Sequence, residues 1–90
     1  MLLGIRYREL PFGVGRDDVD AVLAGFKAER CGESGSPAFE VNNEYFRIGP
    51  RKLRVCTEDE MFVALWGPKG LVDDVYGRII ERWEARKAGA

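Results

Sequence analysis

The stretch AFEVNNEYFRIGPRKLRVCTEDEMFVALW, residues 38–66, decides the fold. Its segments Ala38–Val41, Glu44–Ile48, Lys52–Cys56 and Met61–Trp66 are short and rich in aromatic or β-branched residues, and most alternate apolar with polar positions. A period of two is the mark of a strand with one face buried. Asn42-Asn43, Gly49-Pro50 and Thr57–Glu60 separate the segments. These are hairpin turns in length and chemistry, since Asn and Gly accept left-handed backbone and Pro cannot extend a ladder. Turns this short make neighbouring strands antiparallel. The stretch therefore predicts a β-meander.

Upstream, Glu33–Pro37 reads as a loop, and Asp17–Cys31 as a helix ended by Gly32. Val19, Val22, Leu23 and Phe26 recur at helical spacing and give one apolar stripe. Asp17, Asp18 and Asp20 crowd the expected start, where carboxylates cap free N–H groups and suit the positive end of the dipole. Lys27 and Arg30 suit the other end. Before this helix, Pro11, Gly13 and Gly15 form a turn after an alternating strand, Leu2–Arg8.

Downstream, Gly67, Pro68 and Gly70 close the meander, and Leu71 to about Lys87 reads as a second helix. Val72, Val75, Ile79 and Trp83 form its stripe, with Tyr76 and Ile80 at the edge. Asp73 and Asp74 near its start, and Arg82, Arg86 and Lys87 near its end, match the dipole. Gly77 costs about 1 kcal/mol against Ala in a helix interior. A close approach to another element is the expected reason. Ala88–Ala90 is expected to fray.

The order β-α-β-β-β-β-α predicts one α+β domain over residues 1–90. A mostly antiparallel five-stranded sheet would carry both helices on one face and leave the other open. This element order resembles half of a TATA-binding-protein-like saddle. The resemblance implies a fold and not a function, because no residue motif accompanies it.

Alternation then assigns the faces. Leu3, Ile5, Tyr7, Phe39, Val41, Phe46, Ile48, Leu53 and Val55 are expected under the helices. Arg6, Arg8, Glu40, Tyr45, Arg47, Lys52, Arg54 and Cys56 are expected on the open face, which would then be basic. The last strand is apolar on both sides: Met61, Val63 and Leu65 on one, Phe62, Ala64 and Trp66 on the other. One of these sets, expected to be that of Phe62 and Trp66, meets solvent or a partner.

Ninety residues with 46% hydrophobic and 32% charged side chains suit one globular domain, and the net charge of −1 gives no global pull toward nucleic acid. The chain has no histidine. That excludes Ser-His-Asp and Cys-His catalysis and His-ligated zinc. Gly13-Val14-Gly15-Arg16 is half of a dinucleotide fingerprint, with Asp18 where its third Gly belongs. The acidic tip Glu58–Glu60 lacks the ligand spacing of a calcium loop. No catalytic residue, metal or cofactor is expected. Cys31 and Cys56 form neither a CxxC pair nor a zinc set, and are expected as reduced thiols, with one disulfide as the alternative. No signal peptide or membrane span is legible, so a soluble, cytoplasmic protein without membrane contact is expected.

Arg6, Arg8, Tyr45, Arg47, Lys52, Arg54, Phe62 and Trp66 are the candidate binding residues. Charge beside rings suits a non-catalytic docking face for a protein partner or a second copy. Nucleic acid, bound through phosphate contacts and base stacking on the same face, is the alternative. A small-molecule or enzymatic pocket between helices and sheet is the second alternative.

Overall fold

A computed structural model of the chain describes residues 4–36, 41–59 and 62–89. The elements are β1 (Ile5–Glu9), α1 (Arg16–Gly25), β2 (Glu29–Ser36), β3 (Val41–Ile48), β4 (Arg51–Glu58), β5 (Phe62–Pro68) and α2 (Lys69–Gly89). The strands form one five-stranded sheet in the order β1-β5-β4-β3-β2, with every neighbouring pair antiparallel. The chain leaves β1 at one edge, crosses beneath the sheet through α1, and returns strand by strand from the opposite edge. The expected α+β class and element order hold.

The core lies between the sheet and the helices. Phe46, Ile48, Leu53, Val55, Val63 and Leu65 point into it from the central strands, as alternation predicts. Val19 and Leu23 of α1, and Leu71, Val72, Val75 and Ile79 of α2, meet them. Val22, Phe26, Tyr76, Ile80 and Trp83 pack around the margin, so both expected helical stripes are found.

The structure corrects the chain upstream of β3. Val41 begins β3 rather than ending a strand, and Asn42-Asn43 is not a turn. Both asparagines lie inside β3 and pair with Thr57 and Cys56. Leu3, Ala38, Phe39, Glu40 and Met61 lie outside the described residues. The outer strand is instead β2, ERCGESGS, expected as the end of a helix and a loop. It has little apolar content to mark it. Backbone pairing to β3 holds it, with a register irregularity between Arg30 and Gly32. A Cβ at Gly32 would make ordinary contact with the Tyr45 ring, 3.8 Å from its Cδ2.

Helix α1 stops early because its C-terminus closes on a residue other than glycine. The Lys27 N–H donates to the Ala24 carbonyl and the Ala28 N–H to the Leu23 carbonyl, with Lys27 at φ 57°. That is the Schellman arrangement with lysine in the left-handed position where glycine is usual. Lys27 and Arg30 therefore do not sit in the last helical turn. The N-terminus also departs from expectation, because Gly15 is the N-cap and no side chain caps it. Asp18 instead turns inward.

Gly77 faces open space on α2. A methyl group in place of its hydrogen would meet nothing within 4 Å, so no close approach explains it. Asp74 and Arg78 form an exposed i,i+4 ion pair on α2, at 3.6 Å. No described helix is long and apolar enough to cross a membrane.

Candidate open sheet face

The face away from the helices can be read as rows across the strands. Cross-strand register places Phe62, Glu58 and Val41 side by side in a first row. Glu9, Ala64, Cys56, Asn43 and Ser34 form a second. Tyr7, Trp66, Arg54, Tyr45 and Gly32 form a third. Ile5 beside Pro68, and Lys52 beside Arg47 and Glu29, make up a fourth.

The third row is a ridge of stacked groups. The Tyr7 and Trp66 rings meet edge to face, with centroids 6.0 Å apart at 82°. The Arg54 guanidinium lies over the Trp66 ring, Cζ to centroid 3.9 Å. Its Nε is buried and has no hydrogen-bond partner among the described residues, so the indole face is what it has in place of an acceptor. The Tyr45 hydroxyl lies 3.3 Å from Ser34 Oγ. Beside this ridge the second row is a trough, because Ala64, Cys56, Asn43 and Ser34 are small. At its β1–β5–β4 end the trough deepens to a hollow of about 110 Å³ whose lining includes Tyr7, Glu9, Cys56, Glu58, Phe62 and Ala64. Phe12, from the turn after β1, packs on Phe62 with centroids 6.0 Å apart.

Phe62 and Trp66 lie on this face as expected, 51% and 39% exposed. Tyr45, Arg47, Lys52, Arg54 and Cys56 are there too. Strand β1 is inverted from expectation. Ile5 and Tyr7 look outward, Tyr7 at 54% exposure, while Arg6 and Arg8 turn under the sheet toward α2. Arg6 Nη1 donates to Asp73 Oδ1 at 2.9 Å. Arg8 Nη1 is 3.5 Å from the same carboxylate, and its guanidinium stacks 3.6 Å over the Tyr76 ring. At a sheet edge the core is thin, so an arginine stem can cover its rim while the head finds a partner. Val41 is likewise on the open face, in register with Glu58.

These shifts change the electrostatics. Without Arg6 and Arg8, the open face carries Arg47, Lys52 and Arg54 against Glu9, Glu29 and Glu58. It is balanced, not basic. Arg47 is also engaged, 3.2 Å from Glu29. The charges are unequal along the strands: Glu9 and Glu58 lie toward the first row, and Lys52 and Arg47, with Glu29, in the fourth. The two tyrosines of the ridge share one row and respond to their immediate neighbours. Burial and then the Glu9 charge push Tyr7 above the ordinary phenol pKa. Hydrogen bonding from Ser34 and then Arg54 draws Tyr45 below it.

Sequence reasoning missed Tyr7, Ile5, Phe12 and the Ala64 trough. A small residue between Phe62 and Trp66 was the one available signal. Cys31, exposed on β2, and Cys56 are free thiols. A larger hollow of about 480 Å³ lies between the helices, lined by Val22, Phe26, Arg78, Glu81 and Arg82 among others, and opens to solvent. It assembles no nucleophile and base. No family model, curated protein or solved structure matches the chain, so the saddle resemblance remains one of element order.

Proposed function

We propose that this protein is a non-catalytic interaction module that docks a protein partner on its open sheet face. The observation that carries this reading is the distribution of exposed large apolar side chains. Ile5, Tyr7, Phe12, Phe62 and Trp66 all belong to the β1–β5 side of this face. Clustered rings beside an arginine, with a polar margin, are the composition of a protein interface core. The same rings scattered over the surface would mean nothing.

The nucleic-acid alternative draws on the same rings but loses two of its five candidate phosphate contacts, keeping Arg47, Lys52 and Arg54. Arg6 and Arg8 are committed to Asp73, and Glu9 and Glu58 would repel a phosphate backbone. Immobilised protein should retain a polypeptide partner that the Phe62→Ala/Trp66→Ala variant does not retain. Fluorescence anisotropy with single-stranded oligonucleotides at low salt should show no binding. Tight, steeply salt-dependent oligonucleotide binding would replace this reading with the alternative.

A further inference from the structure

The ridge and the trough are adjacent rows, and that adjacency gives the face an internal symmetry. A two-fold axis lying above the open face, parallel to the sheet and to the rows and passing between the second and third, keeps each strand over its own copy and reverses its direction. Under that operation the third row of one copy lies over the second row of the other. Trp66 then stands over Ala64 of the second copy, Arg54 over Cys56, and Tyr45 over Asn43. On the three inner strands larger groups meet smaller ones, while at the edges Tyr7 meets Glu9 and Gly32 meets Ser34, and the relation is reciprocal, as a two-fold interface requires.

One pair of opposite charges obeys the same operation. Glu58 in the first row and Lys52 in the fourth belong to one strand and lie on opposite sides of the axis. Both are exposed, and neither has an ion-pair partner among the described residues. The operation brings Lys52 of each copy to Glu58 of the other, twice per dimer. An unrelated partner would require neither the ridge-and-trough match nor this charge match within one surface.

From these relations we infer that the occupant of the open face is a second copy of this chain, packed face to face as a two-sheet sandwich. The inference rests on the docking reading above and specifies its partner. Strands about 4.8 Å apart and rows about 7 Å apart give a footprint of roughly 600 Å² per copy. That is below the ~800 Å² per partner of a standard specific interface, so the dimer is a weak one, with dissociation on the order of micromolar.

Sedimentation velocity from low micromolar to near-millimolar concentration tests it. The wild-type chain should pass from monomer to dimer. Lys52→Glu and Glu58→Lys should each weaken the dimer by about 10-fold or more, because each turns both cross-copy pairs into repulsions. An equimolar mixture of the two variants should recover association, since every pair across a mixed dimer is again opposite in sign. Ala64→Trp, which fills the trough, should abolish it. A wild-type chain that stays monomeric throughout overturns the inference, as does a mixture no tighter than its components. If the wild type is monomeric yet the Phe62→Ala/Trp66→Ala variant loses a captured partner, self-association falls and the docking face stands. If that variant also loses nothing, both fall.

Discussion

The two faces of this sheet handle their charges in opposite ways. On the covered face, arginines are matched to carboxylates from other elements. Arg6 and Arg8 meet Asp73, Arg16 and Arg30 meet Glu44, and Arg82 and Arg86 meet Asp18. On the open face, the central arginine lies on a ring, and Lys52 and Glu58 are left without ion partners among the described residues. The covered face joins strands to helices across long sequence separations. The open face is arranged within the sheet itself, apart from the Phe12 ring of the turn after β1, which packs on Phe62. One therefore carries stability, and the other is left available for contact.

The sharpest way to break this division is at two consecutive residues of β5. Leu65 is fully buried under the helices, and Trp66 points the other way. Leu65→Ala should cost about 2–5 kcal/mol, through lost transfer energy and the cavity left behind. Trp66→Ala should cost about 1 kcal/mol, because what it loses is the Tyr7 edge contact and the Arg54 stack at a partly solvated site. Urea denaturation of both variants checks this. A Trp66 loss as large as that of Leu65 would mean the open face is part of the core.

Asp18 tests the ion pairs of the covered side. Its side chain is 1% exposed, and Arg86 Nη2 donates to it at 2.6 Å and Arg82 Nε at 3.2 Å. Burial alone would raise its pKa. The Arg86 hydrogen bond and charge, followed by those of Arg82, outweigh burial and hold it below the ordinary carboxylate value. A carboxylate with a depressed folded pKa contributes stability that is fully present above its unfolded pKa and is lost as pH falls through the folded value. Asp18→Asn should thus cost about 1–3 kcal/mol at neutral pH, discounted because both arginines are half exposed and can hydrate. The difference from wild type should shrink on acidification. Stability curves at neutral and acid pH read it directly, and a gap that widens in acid would contradict the assignment.

A smaller effect of opposite sign belongs to the outer side of α2. Gly77 faces solvent with nothing nearby, two residues from the buried Ile79. Gly77→Ala should raise stability by about 0.5–1 kcal/mol, seen as a higher melting temperature. No change would mean the glycine has a role that its surroundings do not show.

What could be read from the chain follows the same division. Phe46, Ile48, Leu53 and Val55 were assignable because the central strands have a thick core on one side and alternate accordingly. The edges were not. In β1, hydrophobicity alone puts Ile5 and Tyr7 inward, and only the position of Asp73 on a helix far along the chain explains why Arg6 and Arg8 go there instead. In β2, the residues ERCGESGS have no apolar side to bury, and a strand forms because β3 offers a backbone ladder. The stop of α1 was hidden because Lys27 occupies a left-handed position that usually announces itself as glycine. The candidate face inherited these errors. Its rings in β5 were legible, since a strand apolar on both sides needs two coverings. Its charge was not, since the sign depended on the orientation of β1.

The subtlest test uses the two tyrosines that terminate the stacked part of the ridge. Tyr7 and Tyr45 share one row and one face, so a uniform environment would shift them alike. Tyr7 instead lies beside Glu9, and its hydroxyl donates to Glu9 Oε1 at 3.3 Å, which disfavours the phenolate. Tyr45 lies between Ser34 and Arg54, which favour it. Ultraviolet difference titration of Tyr7→Phe and Tyr45→Phe should show Tyr45 ionising at lower pH than Tyr7. Arg54→Gln should raise the Tyr45 value and narrow that gap, because it removes the charge beside Tyr45 while leaving Glu9 beside Tyr7. If both tyrosines moved together, the ridge would be one electrostatic unit from β1 to β3. Ionisation in the expected order supports a ridge whose β1 and β3 ends lie in different surroundings, Glu9 beside one tyrosine and Ser34 with Arg54 beside the other.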